Sequence, residues 1–305
     1  MACPLLEEPQ SVGLNNRHAV LMFVILGLAI VFASIIAGYT LHGGQLLVLF
    51  QISEFLIIGG SALGALLIAN PPDLLRRIVR GVIVTVRGNR LTKAAYLELL
   101  QFLYELLQLA KREGLIALEQ HVENPENSTI FAKYPTVLAN QHAVAFFCDT
   151  MKVVLNGGIP PHDLEDLMDL DLETIHHKET RAPAALITVA DALPGLGIVA
   201  AVLGVVITMG KVDQPPEVVG HSIAAALVGT FLGVLLSYGV VGPIGRSLEN
   251  HTHAEHRYLN CIKATILAFV KGAPPVVAVE YGRRAIDPDF RPSFQETEDA
   301  VKRTR

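Results

Sequence analysis

A few polar side chains inside two long apolar stretches are the residues of this sequence best placed for ion chemistry. The stretches cover residues 184–210 and about 219–241, and their polar members are Asp191, Thr208, His221, Ser222, Thr230 and Ser237. A hydroxyl such as that of Thr230 can line a narrow polar path between helices, but it cannot hold a proton at neutral pH. An ion path here would need a carboxylate at mid-depth, and a second polypeptide would have to supply it.

Glu54 is a further ionisable residue, and it lies in an earlier apolar stretch at about 45–69. Ionisable side chains inside a membrane are costly to bury and mark functional sites by default. The alternative is that Glu54 lies about a third of the way in from the external end and pairs locally. The sequence alone leaves both interpretations open.

Small residues recur at helical spacing in the two later stretches. Ala225, Gly229 and Gly233 fall every four positions, and so do Gly197 and Ala201. This spacing lines one face of a helix with small side chains, so two membrane helices can approach closely. It predicts close packing between the two helices.

Two prolines lie near the predicted cytoplasmic ends of these helices. Pro194 follows Asp191 by three residues, and Pro243 lies at the matching end of the other helix. Proline removes a backbone hydrogen bond and bends or reshapes a helix. Equal depth in neighbouring helices favours a hinge, and the alternative is a pair of ordinary prolines at helix ends.

The elements that would position these residues are membrane helices. Four apolar stretches each reach the roughly 20 residues that cross a hydrocarbon core, and no segment alternates clearly enough to be a strand. We predict an all-α membrane protein with four spans and a large helical cytoplasmic insertion. The expected segments are an N-terminal tail (1–17), spans one and two (18–69), the insertion (70–183), spans three and four (184–245) and a cytoplasmic C-terminal helix and tail (246–305).

Charge predicts the orientation and the class of partner. Basic residues cluster after span two, which marks the cytoplasmic side and places both termini inside; they are Arg76, Arg77, Arg80, Arg87, Arg90 and Lys93. Only 17% of the 305 residues are charged, against about 25% in soluble proteins. A net charge of −5 without a basic block argues against nucleic acid, and three scattered cysteines argue against a disulfide framework.

No catalytic or metal-binding motif in the sequence has the context that its chemistry requires. The run 195–200 matches a dinucleotide fingerprint but lies inside a membrane span, and the sequence has no HExxH, P-loop or GxSxG motif. His251, His253 and His256 do not share one helix face, and the adjacent His176 and His177 point apart, so solvated surfaces are favoured. We expect neither an enzyme nor a metal site.

A mixed-charge cluster lies in the insertion, at Lys111, Arg112, Glu113 and Glu119. Exposed charges usually form a solvated face of little energetic value. A charged helix end could instead steer a complementary protein surface.

Five motifs carry a resemblance to a known family. They are ENPENSTIFAKYP (123–135), LMDLDLETIHHKE (167–179), DALPGLGIVAAVLGVV (191–206), ALVGTFLGVLLSYGVVGP (226–243), and APPVVAVEYGRR with RPSF (273–294). Over about residues 18–300 the chain resembles the MotA flagellar stator subunits of the MotA/TolQ/ExbB group. The long insertion and the GTFLG run favour MotA over an ExbB/TolQ-like energiser of a periplasm-spanning protein, which is the first alternative. The second alternative is a scaffold without ion flow.

The resemblance implies a mechanism and partners. Such chains form a pentamer around two helices of MotB, a single-span protein whose aspartate carries the proton and whose periplasmic domain binds peptidoglycan. Ion flow, in the bacterial inner membrane, turns the pentamer and drives a rotor switch-complex protein at the cytoplasmic face. Protons are the expected coupling ion, and no cofactor is implied.

The resemblance also implies roles for single residues. Pro194 and Pro243 match the functional prolines of the family, Thr230 and Ala201 match positions on the ion path, and alanine at the latter favours protons. Asp191 matches a supporting aspartate, and Glu54 a glutamate found in some members. Lys111 and Glu119 match the rotor-contacting residues. Lysine replaces the usual arginine, and the neighbouring Arg112 could share its role.

Overall fold

The computed structural model describes residues 11–87 and 91–303, and for residues 11–21, 86 and 87 it describes the backbone alone. Helices are its regular elements throughout these ranges, which confirms the all-α prediction. They are α1 (Ser11–Leu41), α2 (Leu46–Leu49), α3 (Ile52–Ala69), α4 (Pro72–Arg87), α5 (Lys93–Glu113), α6 (Glu119–Glu123), α7 (Pro135–Leu138), α8 (Gln141–Asn156), α9 (Pro161–Met209), α10 (Pro216–Leu236), α11 (Gly242–Val270), α12 (Pro275–Ala285) and α13 (Phe294–Lys302).

The N-terminal tail expected at 1–17 is helical over residues 11–17, which begin α1. Residues 1–10 of that tail, and Arg90 of the basic cluster, lie outside the described residues.

Four helical segments are long and apolar enough to cross a membrane. They lie at Met22–Leu41, at Leu46–Ala69, within Pro161–Met209 and within Pro216–Val270. The chain is therefore a multi-pass membrane protein with the four spans expected from the sequence.

The chain divides into two compact units. The first contains residues 1–89 and 179–251, and the second contains residues 90–178 and 252–305. The expected segment boundaries at 183/184 and 245/246 fall inside α9 and α11, because both helices continue through these positions.

The first unit is held together by membrane helices that bury narrow apolar stripes. On α3 the buried residues are Glu54, Ile58 and Ala62, spaced four apart on one face. This face packs on α10, where Val228 and Leu232 join the same core.

The second unit has a conventional hydrophobic core around α5. Apolar residues recur along this helix at three- and four-residue spacing and are fully buried, as expected from the sequence pattern; they include Tyr96, Leu99, Leu100, Leu103 and Leu106. Helix α5 begins where the Thr92 hydroxyl accepts a hydrogen bond from the Ala95 amide (3.3 Å). Residues from α8, α9 and α11 complete this core, so the predicted insertion and C-terminal segment fold partly together.

The motif at 123–135 is explained by packing within this unit. Phe131 packs on Phe102, with ring centroids 4.6 Å apart, and the Tyr134 hydroxyl donates a hydrogen bond to Glu105 (2.8 Å). His121 Nδ1 lies 2.7 Å from the Ser128 hydroxyl. These contacts hold an irregular segment against the core, so the motif serves the fold.

Candidate functional site

Helices α9 and α10 approach so closely that their backbones touch. A Cβ added to Gly197 would lie 2.7 Å from the carbonyl oxygen of Gly229 and 3.0 Å from the Cα of Gly233. A Cβ on Gly233 would lie 2.6 Å from the carbonyl oxygen of Leu193. Any side chain larger than hydrogen would push the helices apart. The structure therefore brings together the three glycines expected to pack.

The close contact continues one turn further than expected, but through a different residue. A Cβ on Gly204 would lie 2.6 Å from the Cβ of Ala226. The sequence pattern pointed to Ala225, which is half-buried, whereas Ala226 is buried. The difference arises because an exact four-residue spacing drifts around a helix of 3.6 residues per turn.

Thr230 and Ala201 lie at the same level of this contact, and both are half-buried. The Cα of Thr230 is 3.3 Å from the Cβ position of Gly197. The amide nitrogen of Ala201 is 3.1 Å from the Cβ position of Gly229. The structure thus brings the two predicted path residues together on neighbouring helices.

Asp191 lies elsewhere. It is exposed on α9, ten residues before Ala201, or about 15 Å along the helix axis. The structure does not bring it to the level of Thr230.

Glu54, for which the sequence left a functional role and local pairing open, lies beside Thr230 and Ala201. Its carboxyl is buried, and its Oε2 has no hydrogen-bond partner. A Cβ on Gly229 would clash with this Oε2. The carboxyl from α3 therefore reaches the α9–α10 contact one residue from Thr230. The sequence signal was a lone acidic residue on an otherwise apolar stripe.

The two prolines flank a distorted region. Pro194 lies inside α9, so the carbonyl of Ala190 lacks its usual amide partner one turn later. Pro243 follows a π-helical turn at Ser237–Val241, where the Gly242 amide donates to the Ser237 carbonyl five residues back. The Cβ of Ala190 is 3.9 Å from the Cβ position of Gly242. The two irregular turns therefore face each other at one level.

The charged residues Lys111, Arg112 and Glu119 are all exposed and belong to one short segment. The first two are in the last turn of α5, and Glu119 is in the first turn of α6. These charges complement the dipoles of the two helices. The guanidinium of Arg112 lies 3.3 Å from Glu113, in a solvent-exposed ion pair.

The expectation of solvated histidines was wrong for three of the five, since His176, His251 and His256 are half-buried. The ring of His176 on α9 lies 4.5 Å from that of His256 and 5.3 Å from that of His253, both on α11. Residues far apart in sequence meet because two helices pack, which spacing along one helix cannot reveal. In the described ranges, no three His, Cys, Asp or Glu side chains form a group that could hold a metal.

This histidine cluster predicts acid sensitivity. Burial, and after it the positive neighbours, hold the pKa of His176 and of His256 below the usual range. The folded state therefore binds fewer protons than the unfolded state below pH of about 6.5. The contribution of these groups to the free energy of unfolding is complete above that pH. It is lost as the pH falls, by at most about 1.4 kcal/mol per group and per pH unit.

We expect the melting temperature of the detergent-solubilised protein to fall between pH 7.5 and 5.5, and to fall less in His256→Leu. His177→Gln serves as the control, because His177 is the exposed neighbour of His176. Equal pH dependence in His256→Leu and the parent would contradict the assignment.

Two family models match the chain. "Motility protein A N-terminal" matches residues 25–114, and "MotA/TolQ/ExbB proton channel family" matches residues 138–260. Motility protein A of Salmonella typhimurium is 37% identical over 285 residues, which cover 93% of this chain and 96% of the relative.

The chain belongs to the motility protein A family.

Other relatives and solved structures agree with this membership. Chemotaxis protein LafT of Vibrio parahaemolyticus is 35% identical over 90% of this chain and 96% of its own length. The C. jejuni MotAB structure has a TM-score of 0.73 at 21% identity, covering 90% of this chain and 99% of that chain. The flagellar MotAB stator complex from Bacillus subtilis has a TM-score of 0.65 at 24% identity, covering 84% and 92%. At these identities the two structures establish a shared fold.

Membership of the motility protein A family confirms the interpretation as a flagellar stator subunit over the ExbB/TolQ-like alternative. The MotA/TolQ/ExbB family that matches residues 138–260 is described as a proton channel family.

Proposed function

We propose that this stator subunit forms a proton-conducting complex with a MotB-like single-span protein and converts proton flow into torque on the rotor. The complex would lie in the inner membrane, with both termini of this chain in the cytoplasm. Similarity to solved MotAB complexes supports such a partner. The exposed Arg76 and Arg80 on α4, just after span two, support the orientation.

The observation that carries the proposal is the position of Thr230 and Ala201 beside the α9–α10 backbone contact. A hydroxyl at this level can pass hydrogen bonds along a narrow path, yet it cannot retain a proton. Residues 192–210 and 222–245 contain no acidic, basic or histidine side chain. These two helices therefore supply no carboxylate of their own, and we propose that the partner supplies one at this depth.

The remaining faces of the membrane helices support an assembly. On α9 many large apolar side chains are more than two-fifths exposed; among them are Ile198, Val202, Leu203, Val205, Val206 and Ile207. Lipid or other chains must cover such a surface. We propose further copies of this chain, in a pentamer around the partner helices, with lipid outside.

Motility tests the proposed function. In a strain deleted for this chain we expect intact filaments on non-swimming cells, with swimming restored by the gene. Normal swimming of the deletion strain, in a background lacking other stators, would overturn the proposal.

The exposed charges at Lys111 and Glu119 carry the proposed rotor contact, which Arg112 shares. We expect Lys111→Glu and Glu119→Lys to lower swimming torque several-fold without changing proton flux, because electrostatic complementarity at exposed surfaces governs encounter and register. Torque follows from the rotation of tethered cells in medium of graded viscosity, and flux from cytoplasmic pH.

The matched control is Arg246→Glu, an exposed charge on α11. Unchanged torque in the Lys111→Glu and Glu119→Lys double variant would contradict the rotor contact.

A further inference from the structure

The carboxyl of Glu54 is buried in an apolar environment for which a charged group is poorly suited. The residue is only 6% exposed, in the first turn of α3, and its Oε2 makes no hydrogen bond. The next two residues of the same buried stripe, Ile58 and Ala62, are apolar. An apolar residue at position 54 would continue this packing without the cost of burying an ionisable group. Packing alone therefore does not explain the glutamate.

The position of the carboxyl is specific. A Cβ on Gly229 would clash with Oε2, and this Cβ position lies 3.1 Å from the Cβ of Ala200 and 3.1 Å from the amide nitrogen of Ala201. The carboxyl tip thus occupies a space that exists because residue 229 has no side chain. Thr230 follows directly on α10. Three helices meet at this point, and Glu54 supplies an ionisable group there.

The depth of this point agrees with a place on a path. Gly229 lies ten residues after residue 219, where the apolar stretch of span four begins, which corresponds to about 15 Å of helix. That distance is about half of a hydrocarbon core of about 30 Å. The carboxyl therefore lies near the middle of the span, where an ion path needs a proton-binding group.

We propose that Glu54 is a proton-binding carboxyl that this chain itself supplies to the ion path, seated at Gly229 beside Thr230. The proposal rests on the proposed function and deepens it. A proton from external water binds the Glu54 carboxylate and gives a neutral carboxylic acid. The acid then passes the proton to the carboxylate of the partner and becomes a carboxylate again. One proton moves, and no other bond is made or broken.

Proton flux in liposomes tests the proposal. The complete complex with its partner is reconstituted, a potassium diffusion potential is imposed, and internal pH is followed with a dye. We expect the wild-type complex to conduct and Glu54→Gln to conduct about ten-fold less or lower, because glutamine keeps the shape and cannot ionise. Assembly is checked by size-exclusion chromatography, and Glu54→Gln is expected to elute as the wild type does.

The seat at Gly229 gives a second, independent measurement. Gly229→Ala should displace the carboxyl and lower flux, and Glu54→Gln added to it should lower flux no further. The matched control is Gly220→Ala on the same helix, where a Cβ meets nothing within 4 Å and flux should equal that of the wild type. Independent, additive losses of flux from the two changes would contradict the position of the Glu54 carboxyl at Gly229.

The outcomes separate the two proposals. A wild-type complex that conducts, together with an assembled Glu54→Gln complex that conducts equally well, overturns the role of Glu54 and leaves the proposed function standing. A wild-type complex that does not conduct overturns proton conduction itself. If Glu54→Gln does not assemble, Glu54→Asp decides: a flux with the wild-type pH dependence overturns the role of Glu54, whereas a shifted pH dependence of the flux, which a packing residue would not produce, supports a proton-binding group.

Discussion

Replacing Pro194 or Pro243 by leucine is expected to stop swimming while the protein stays assembled in the membrane. Both prolines adjoin irregular turns, and these turns face each other through Ala190 and Gly242. Leucine restores an amide donor and removes the ring that clashes with the preceding turn. Each helix would then straighten and gain up to about 3 kcal/mol of helix stability. The more stable helices would move less at these turns.

Two measurements are needed for this prediction. Swimming speed should fall to zero, and the melting temperature of the solubilised complex should stay the same or rise. The matched control is Pro216→Leu, because Pro216 is the first residue of α10, where proline removes no helical hydrogen bond. Pro216→Leu should swim normally. Normal swimming of both Pro194→Leu and Pro243→Leu would exclude a hinge at these turns.

The energy available from the proton is consistent with a change of this size. One charge falling through 100 mV releases about 2.3 kcal/mol. A regular helix hydrogen bond contributes about 0.5–1.5 kcal/mol. A turn already lacking one such bond, as at Pro194, needs less energy to rearrange than a regular turn. The energy released by one proton is therefore comparable to the energy needed to rearrange a turn that already lacks one hydrogen bond.

What the sequence predicted well depends on patterns within a single helix. Hydropathy and length gave the four spans, and the spacing of Gly197, Gly229 and Gly233 gave the faces that meet. Local rules suffice here because a membrane span has to be apolar and the residues at a close helix contact have to be small.

What the sequence did not predict depends on how separate helices rotate against one another. Glu54 reaches Gly229 only because the Ile58 face of α3 turns toward α10. Likewise His176 meets His256 because α9 lies beside α11. Periodicity along each helix gives a face but not the partner of that face. A lone polar residue on a buried stripe is the local sign that such a partner exists.

Replacing Gly197 by alanine is expected to cost stability and motility together. A single added methyl would lie 2.7 Å from the carbonyl oxygen of Gly229 and 3.0 Å from the Cα of Gly233, and neither backbone atom can rotate away. The helices must separate, and overpacking of this kind costs about 1–3 kcal/mol. Separation at this level also moves Thr230 from Ala201. We expect a lower melting temperature in detergent and loss of swimming.

Gly195→Ala is the control that decides the cause of such an effect. It adds the same methyl to the same helix two residues away, where a Cβ meets nothing within 4 Å. Alanine in an open helical position stabilises by about 0.5–1 kcal/mol relative to glycine, so the melting temperature should rise or stay constant. Opposite signs in the two variants would assign the loss to the α9–α10 contact. Equal melting temperatures would mean that the contact can relax, and the path would then not depend on backbone proximity.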